Sequence, residues 1–81
     1  MSWFVYMLKC GDGSLYTGST DDVNKRLKAH QSGKGAKYTR SHLPVELAYF
    51  EELPDKSSAL KREAAIKKLP RRDKLLLIDK K

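Results

Sequence analysis

Two short apolar segments on either side of a glycine-rich turn constrain the fold of this chain more than any other feature. Residues 3–8 (WFVYML) are rich in aromatic and branched side chains, which favour β-strands. Residues 11–13 (GDG) follow, and residues 15–18 (LYTG) form a second short segment. Two such segments separated by a short glycine-containing turn are typical of a β-hairpin. The sequence therefore predicts an antiparallel pair of strands near the start of the chain.

The register of this hairpin determines whether two tyrosines can act together. A three-residue loop with Gly13 in the left-handed conformation pairs Leu8 with Tyr16. That pairing places Tyr6 and Tyr16 on one face of the sheet, whereas a four-residue loop separates them. We expect the first arrangement. Tyrosines in strands also serve as packing residues, so the hairpin alone leaves a structural role open.

A helix that carries two candidate functional residues follows the hairpin. Residues 19–22 (STDD) offer side-chain oxygens for a helix N-cap, and residues 32–33 (SG) provide a helix stop. Arg26 and His30 lie four residues apart, so they share a face that borders the apolar stripe of the helix. This spacing predicts both side chains at the rim of the core, where a cleft can form. The alternative is an ordinary pair of solvent-facing side chains.

A basic segment after this helix is a candidate for nucleic-acid contact. Residues 34–40 (KGAKYTR) combine flexible glycine, three cations and one aromatic ring. Cations of this kind bind phosphates, and a tyrosine ring can stack on a base. The candidates for binding are Lys34, Lys37, Tyr38 and Arg40. A plain exposed loop is the alternative interpretation.

The second half of the chain predicts a third strand and two further helices. Residues 45–50 (VELAYF) alternate weakly between apolar and polar types, as a strand does, and the acidic residues 51–52 after them are expected at a solvated edge. The predicted helices are Ala59–Leu69, capped by Ser57 or Ser58, and a short one opened by Pro70, in which residues 75–78 (LLLI) pack as a terminal cover.

The first of these helices contains a carboxylate on its apolar side. Ala59, Leu60 and Ile66 define the apolar arc of a helical wheel, and Glu63 falls within that arc. A charged group among apolar side chains is costly unless a cation or a metal compensates it. Such a break in the pattern indicates a functional position. The structural alternative is an ion pair with Lys67, one turn along the same helix.

The balance of charge favours a polyanionic partner. Lysine and arginine total 17 against 10 acidic residues, which gives a formal net charge of +7 and a pI of about 9.7. The basic residues concentrate in 25–40 and 61–74, while the acids cluster elsewhere. This segregation indicates nucleic-acid binding that weakens with salt. A solvated coat of lysines is the alternative.

Cysteine content and length bound the class of protein. The single cysteine, Cys10, can form no internal disulfide, and no Cys/His spacing of a zinc site is present. Stability must come from packing in a reducing compartment, so we expect a cytoplasmic location. Residues 3–8 are too short to span a bilayer, and no basic segment precedes them. We expect no membrane contact and a single domain over residues 1–81.

Taken together, these residues resemble the GIY-YIG nuclease superfamily, in particular its small stand-alone bacterial proteins, the UPF0213-like single-domain family. The resemblance covers nearly the whole chain. Residues 33–39 are also similar to the subfamily that includes the nuclease subunit of the eukaryotic structure-selective endonuclease. The motif residues are FVY at 4–6 and YTG at 16–18, followed by Arg26, His30 and Glu63 within LKREAAIK at 60–67.

The resemblance implies an α/β fold in which a three-stranded antiparallel sheet is flanked by helices. It also implies a nuclease that hydrolyses DNA with one divalent metal, Mg²⁺ or Mn²⁺, in repair or recombination. Branched and single-stranded DNA are candidate substrates, and RNA is kept as an alternative. Two departures bear on activity: an asparagine that many members place after the helical glutamate has no counterpart near residues 70–75, and a lysine that some place after the second motif is Ser19 here.

Each catalytic role in this hypothesis has a candidate residue. Glu63 would bind the metal, and Arg26 would hold the scissile phosphate. Tyr6 is the first choice of general base, with its pKa lowered by Arg26 and the metal, and Tyr16 would orient the attacking water or share that task. His30 would bond to the phosphate or the water. The competing hypothesis is a binding module that holds nucleic acid on the same basic face without cutting it.

Overall fold

A computed structural model describes residues 2–79, and its centre is a three-stranded antiparallel sheet in the order β2-β1-β3. Helices lie on both faces of this sheet, so the predicted α/β fold is confirmed. In chain order the elements are β1 (Trp3–Cys10), β2 (Leu15–Thr20), α1 (Val23–Gln31), α2 (Lys37–Arg40), β3 (Val45–Leu53), α3 (Lys56–Lys67) and α4 (Arg71–Asp79).

The hairpin of β1 and β2 has the expected register. Leu8 pairs with Tyr16, and Tyr6 pairs with Gly18. Gly13 has a φ of 86°, a left-handed conformation that glycine adopts without steric cost. Because side chains alternate between the faces of a strand, Tyr6 and Tyr16 lie on the same face. The predicted arrangement of the two tyrosines is therefore confirmed.

The sheet has a separate apolar cluster on each face. On one face Tyr6 and Leu8 pack with Leu27 of α1. On the other, Val5 and Met7 pack against α3 and α4, and both have no exposed surface. A site that combines residues of α1 and α3 must therefore lie at an edge of the sheet, and β2 is an edge strand.

The third strand is longer than predicted. It continues through the acidic residues to Leu53, which pairs with Trp3. Residues 51–52 therefore belong to the strand and pair with β1, but β3 is an edge strand and Glu52 is exposed, so the expected solvated edge is confirmed for Glu52. Arg62 of α3 also compensates Glu51, with Nε 2.6 Å from its carboxylate.

The first helix of the second half, α3, begins earlier and buries less than predicted. Helix α3 starts at Lys56, because Asp55 and not a serine provides the N-cap by accepting a hydrogen bond from the Ser58 amide. Leu60 is 48% exposed, so the apolar arc of α3 consists of Ala59 and Ile66 alone.

The terminal cover is half as large as predicted. In α4, Leu77 and Ile78 pack on the core, whereas Leu75 and Leu76 are exposed. A helix can direct only part of a four-residue apolar run toward one surface. No helix within residues 2–79 has the length and apolar character that crossing a bilayer requires.

Candidate active site

Tyr6 is the centre of the candidate site. Its side chain is 2% exposed, and its hydroxyl lies 2.9 Å from Nε2 of His30. Gly18 lies directly opposite on β2, where a Cβ atom would be 2.6 Å from the Tyr6 hydroxyl oxygen. The glycine of the second motif therefore makes room for the phenol of the first.

The electrostatic surroundings of Tyr6 oppose its ionisation. Burial raises its pKa to about 12, the Arg26 guanidinium lowers it through hydrogen bonding and charge, and the Tyr16 and Glu63 charges raise it. Arg26 lowers this pKa as expected, but burial outweighs it, so the net effect of the chain's own residues is a raised pKa. These contributions also show that charged residues of α1 and α3, Arg26 and Glu63, both act on the Tyr6 phenol, whose hydroxyl lies beside Gly18 of β2.

His30 is buried in the core and does not lie at its rim. It has no exposed surface, and its Nδ1 lies 2.7 Å from Oγ1 of Thr39. Burial, and secondarily the charge of Arg26, lowers the pKa of His30, so the imidazole is neutral at neutral pH. The predicted direct contact between His30 and a phosphate or attacking water is wrong, because both ring nitrogens already face protein oxygens.

Tyr16 connects this buried pair to the surface. Its ring centroid is 6.5 Å from that of Tyr6 and 5.3 Å from that of His30. On its other side it stacks on Tyr38 at 6.1 Å, and Tyr38 stacks on His42 at 4.2 Å. The aromatic series runs from the core to the 41% exposed Tyr38. Tyr16 is thus the tyrosine of the pair with the greater access to solvent.

Glu63 reaches the same edge from α3. Its Oε1 accepts a hydrogen bond from Ser19 Oγ at 2.6 Å, and its Oε2 lies 2.8 Å from Nζ of Lys67. The ion pair with Lys67 that the sequence left open as an alternative is present, and it raises the pKa of Lys67. The carboxylate side chain is 17% exposed. A serine and a lysine therefore compensate this partly buried charge.

Residues 37–40 of the basic segment before β3 form a short helix, so the alternative of a plain exposed loop does not hold for them. Helix α2 exposes Lys37, Tyr38 and Arg40, while its Thr39 is fully buried against His30. Three of the four predicted binding residues therefore lie on an element that contacts the candidate site. Lys34 is exposed in the turn before α2, and no contact described within residues 2–79 brings its side chain to Tyr6.

Comparison with known proteins identifies the family to which this chain is similar. The model of the GIY-YIG catalytic domain matches residues 2–75. The chain belongs to the GIY-YIG family. Among its relatives, a UPF0213 protein of Streptococcus sanguinis is 60% identical over 75 residues, which are 93% of this chain and 86% of the relative. UPF0213 protein CPE1444 of Clostridium perfringens is 56% identical over 78 residues, which are 96% of this chain and 84% of the relative.

Two solved structures share the fold of this GIY-YIG protein. The solution NMR structure of a UPF0213 protein from Bacillus halodurans has a TM-score of 0.64 and 48% identity, and it covers 100% of this chain and 86% of that chain. The solution NMR structure of a protein from E. faecalis has a TM-score of 0.61 and 46% identity, with 91% and 79% covered. Both likenesses extend over most of the sequence.

A divalent metal fits the chemistry of Glu63 in this GIY-YIG domain. Within residues 2–79 no group of three or more histidine, cysteine or acidic residues is arranged to hold a metal. Mg²⁺, however, commonly uses one or two carboxylates, with water and substrate phosphate in the other positions. A carboxylate offers about four acceptor sites, and Ser19 and Lys67 take two of them. Glu63 thus retains capacity for a cation.

Sequence reasoning missed two residues of the site. Ser19 was assigned to a helix cap, but Asp22 caps α1 and Ser19 bonds to Glu63. Thr39 was not singled out within the basic segment, yet its hydroxyl contacts His30. Neither residue carries a local signal of this role. Their partners lie 44 and 9 positions away in the chain.

Proposed function

We propose that this GIY-YIG protein is a metal-dependent nuclease that hydrolyses phosphodiester bonds of DNA. The observation that carries the proposal is the environment of the Tyr6 hydroxyl. It lies 2.9 Å from Nε2 of His30, whose imidazole is neutral at neutral pH because its pKa is lowered. The charges of Arg26 and Glu63 also act on this hydroxyl. A phenol with a proton acceptor, a cation and a carboxylate around it matches the needs of phosphodiester hydrolysis.

Tyr6 and His30 together are proposed to activate water. A preformed phenolate is disfavoured, since the pKa of Tyr6 is raised to about 12. The phenol can act without ionising beforehand if it passes its own proton to Nε2 of His30 as its oxygen takes a proton from the attacking water. The water then attacks phosphorus as hydroxide, and the proton resides on the imidazole. Tyr16, nearer the solvent, would orient the water.

Arg26 is proposed to hold the scissile phosphate. A guanidinium offers a planar fork of donors that matches two phosphoryl oxygens, and its charge is permanent. Its side chain lies between the buried pair and solvent, since it is partly exposed yet acts on both Tyr6 and His30. Charge that builds up on the phosphoryl oxygens in the transition state would be stabilised there.

Glu63 is proposed to hold one divalent cation, Mg²⁺ or Mn²⁺. When bound, such an ion supplies charge neutralisation for the leaving 3′ oxygen and the phosphate. Ser19 would keep the carboxylate oriented through its hydrogen bond, as partners of metal ligands commonly do. Lys67 would share Oε2 with the cation or be displaced from it, and a displaced ammonium would be free to meet a phosphate.

The path of the DNA strand is proposed to cross helix α2 and the β2 edge. A pocket of about 240 Å³ lies there, below the range typical of sites that enclose a whole free ligand, and this suits one unit of a longer strand. Thr17 is one of the lining residues, and its Oγ1 is buried without a partner among residues 2–79. The other lining residues are Leu15, Tyr16, Tyr38, Lys67 and Lys74.

Phosphate contacts from α2 would come from Lys37 and Arg40, and Tyr38 would stack on a base. Lys34 would add a contact from the preceding turn. We propose branched or single-stranded DNA as the substrate form, with a role in repair or recombination in the cytoplasm. RNA is the alternative substrate.

A non-catalytic nucleic-acid-binding module is the second candidate. The observation in its favour is that both carboxylate oxygens of Glu63 already have partners in the protein. The basic and aromatic surface of α2 would serve this function equally well.

One experiment separates the two functions. The purified protein is incubated with branched, nicked and single-stranded DNA and with RNA, in Mn²⁺ or in EDTA, and both cleavage and mobility shift are measured. We expect products in Mn²⁺ only. Glu63→Gln and Arg26→Ala should abolish cleavage and keep the circular dichroism spectrum. Shifts without products would establish the binding module, and unchanged cleavage by either variant would assign the activity to a contaminant or another site.

A further inference from the structure

Thr39 occupies a position in which its hydroxyl proton can be assigned. The residue is fully buried in α2, and its Oγ1 lies 2.7 Å from His30 Nδ1 and 2.9 Å from the carbonyl oxygen of Ala36. A hydroxyl has one proton to donate, and a carbonyl oxygen can only accept. The contact between Thr39 and Ala36 is therefore a hydrogen bond only if the threonine proton points to Ala36.

This assignment determines the protonation of the imidazole. With its proton directed at Ala36, Thr39 can only accept from His30, so Nδ1 must carry a hydrogen. In a neutral imidazole Nε2 is then unprotonated, and the Tyr6 hydroxyl 2.9 Å away is the donor. The opposite tautomer would leave two oxygen atoms, on Thr39 and Ala36, facing each other at 2.9 Å with no proton between them. One tautomer alone satisfies all three contacts.

The surrounding chain keeps the imidazole of His30 in contact with Thr39. A Cβ atom on Gly35 would lie 2.2 Å from His30 Nδ1, so the backbone there packs directly against the ring. The imidazole has no exposed surface on which solvent could replace the threonine. The segment from Gly35 to Thr39 thus encloses the ring and supplies its acceptor.

We propose that Thr39 is a positioning residue that holds His30 in the Nδ1–H tautomer, which leaves Nε2 to accept the proton of Tyr6. The catalytic consequence rests on the proposed nuclease function, whereas the tautomer itself does not. Helix α2 then has two roles. The element that exposes Lys37 and Arg40 for DNA also orients the proton acceptor behind Tyr6.

The tautomer is tested first, without DNA and in EDTA. The protein is labelled with ¹⁵N-histidine, and the ring nitrogens are observed by NMR at pH 7.5 in the wild type, Thr39→Val and Thr39→Ser. His42→Gln assigns the signals, since the chain has two histidines. We expect Nδ1–H for His30 in the wild type and Thr39→Ser, and a mixture or the Nε2–H form in Thr39→Val. A wild-type Nε2–H tautomer would overturn the proposal.

Cleavage then tests the consequence. Thr39→Val should lower the rate on the order of 100-fold, the lower end of the effect of losing a general base, and change the acid limb of the pH–rate profile, while Thr39→Ser should restore both. The ionisable groups that face His30 are Tyr6 from β1, Tyr16 from β2 and Arg26 from its own helix, and all are unchanged in these variants.

The two failures are distinguishable. An Nδ1–H tautomer lost in Thr39→Val, with no cleavage by the wild type, supports the positioning by Thr39 and rejects the nuclease. Cleavage that is equally fast in the wild type and Thr39→Val rejects the catalytic part of the proposal. If Thr39→Val does not fold, the proposal is still tested by the tautomer of His30 in the wild type and by its comparison with Thr39→Ser.

Discussion

The Tyr6 hydroxyl is 2.9 Å from Nε2 of His30, although the two residues lie 24 positions apart and on different elements. Burial raises the pKa of Tyr6 and lowers that of His30. Both shifts favour the neutral pair, a protonated phenol beside an unprotonated imidazole. In that state the Tyr6 hydroxyl can donate its proton directly to Nε2 of His30.

Tyr6→Phe is expected to flatten the loss of stability at alkaline pH. The pKa of Tyr6 is raised from 10.0 in the unfolded chain to about 12 when folded, so its contribution is present below pH 10 and is lost as the pH rises through 12. Two pKa units correspond to at most about 3 kcal/mol. Urea unfolding of both proteins between pH 8 and pH 11.5 measures it. Tyr38→Phe, which alters an exposed ring, is the control, and parallel curves for wild type and Tyr6→Phe would contradict the prediction.

His30→Gln is expected to flatten the loss of stability at acidic pH. The folded pKa of His30 is lowered from 6.5, so the unfolded chain takes up this proton first. The wild type is therefore most stable above pH 6.5 and loses stability as the pH falls below that value. At pH 7.5 the variant should be less stable by about 1–3 kcal/mol, because it disturbs buried hydrogen bonds. An unchanged slope in His30→Gln would refute the assignment.

Gly18→Ala is expected to disturb Tyr6 directly. Its Cβ atom would lie 2.6 Å from the phenol oxygen and 2.8 Å from Cζ, so the ring must shift within a packed core. Overpacking of this kind costs about 1–3 kcal/mol. Cleavage should fall along with the free energy of unfolding. Gly13→Ala is the matched control in the same hairpin: it has open space but a φ of 86°, so it should lower stability by about 1–2 kcal/mol and leave the specific activity of folded protein unchanged.

Binding of DNA is expected to depend on salt through the cations of α2. Each phosphate contact that is removed should lower the slope of log K against log salt concentration by about 1. Lys37→Ala and Arg40→Ala should each do so, measured by fluorescence anisotropy with a single-stranded oligonucleotide in EDTA. Lys56→Ala is the control, because that ammonium lies over the Trp3 ring at the start of α3. Equal slopes in all four proteins would remove α2 from the proposed interface.

Lys67→Met is expected to bind Mn²⁺ more tightly. The ammonium of Lys67 lies 2.8 Å from Glu63 Oε2 and competes with a cation for this oxygen. An ion pair near the protein surface is worth roughly 0.2–1 kcal/mol, so the gain should be about 1.4- to fivefold in affinity. Electron paramagnetic resonance of free Mn²⁺ measures it without DNA. Lys68→Met is the neighbouring control, and weaker binding by Lys67→Met would show that the lysine assists the metal.

The fold and the motif residues could be predicted from local sequence patterns, but the side-chain contacts within the candidate site could not. The hairpin register followed from Gly13 and the alternation of side chains, and it was confirmed. The position of His30 was predicted at a rim and is buried instead, because helical spacing gives the face of a residue and not the depth to which neighbouring elements cover it. Helix α2 and the buried Thr39 provide that cover.

The sequence by itself determined the strands, the shared face of Tyr6 and Tyr16 and the basic character of the chain, since turns, alternation and charge depend on neighbours in the chain. Its motif residues also indicated the GIY-YIG family. Only the tertiary structure decided that Ser19 bonds to Glu63 from 44 positions away and that Thr39 contacts Nδ1 of His30. Those contacts depend on how separate helices pack at one edge of a sheet. Burial set by that packing, and not residue type, raises the pKa of Tyr6 and makes His30 its partner.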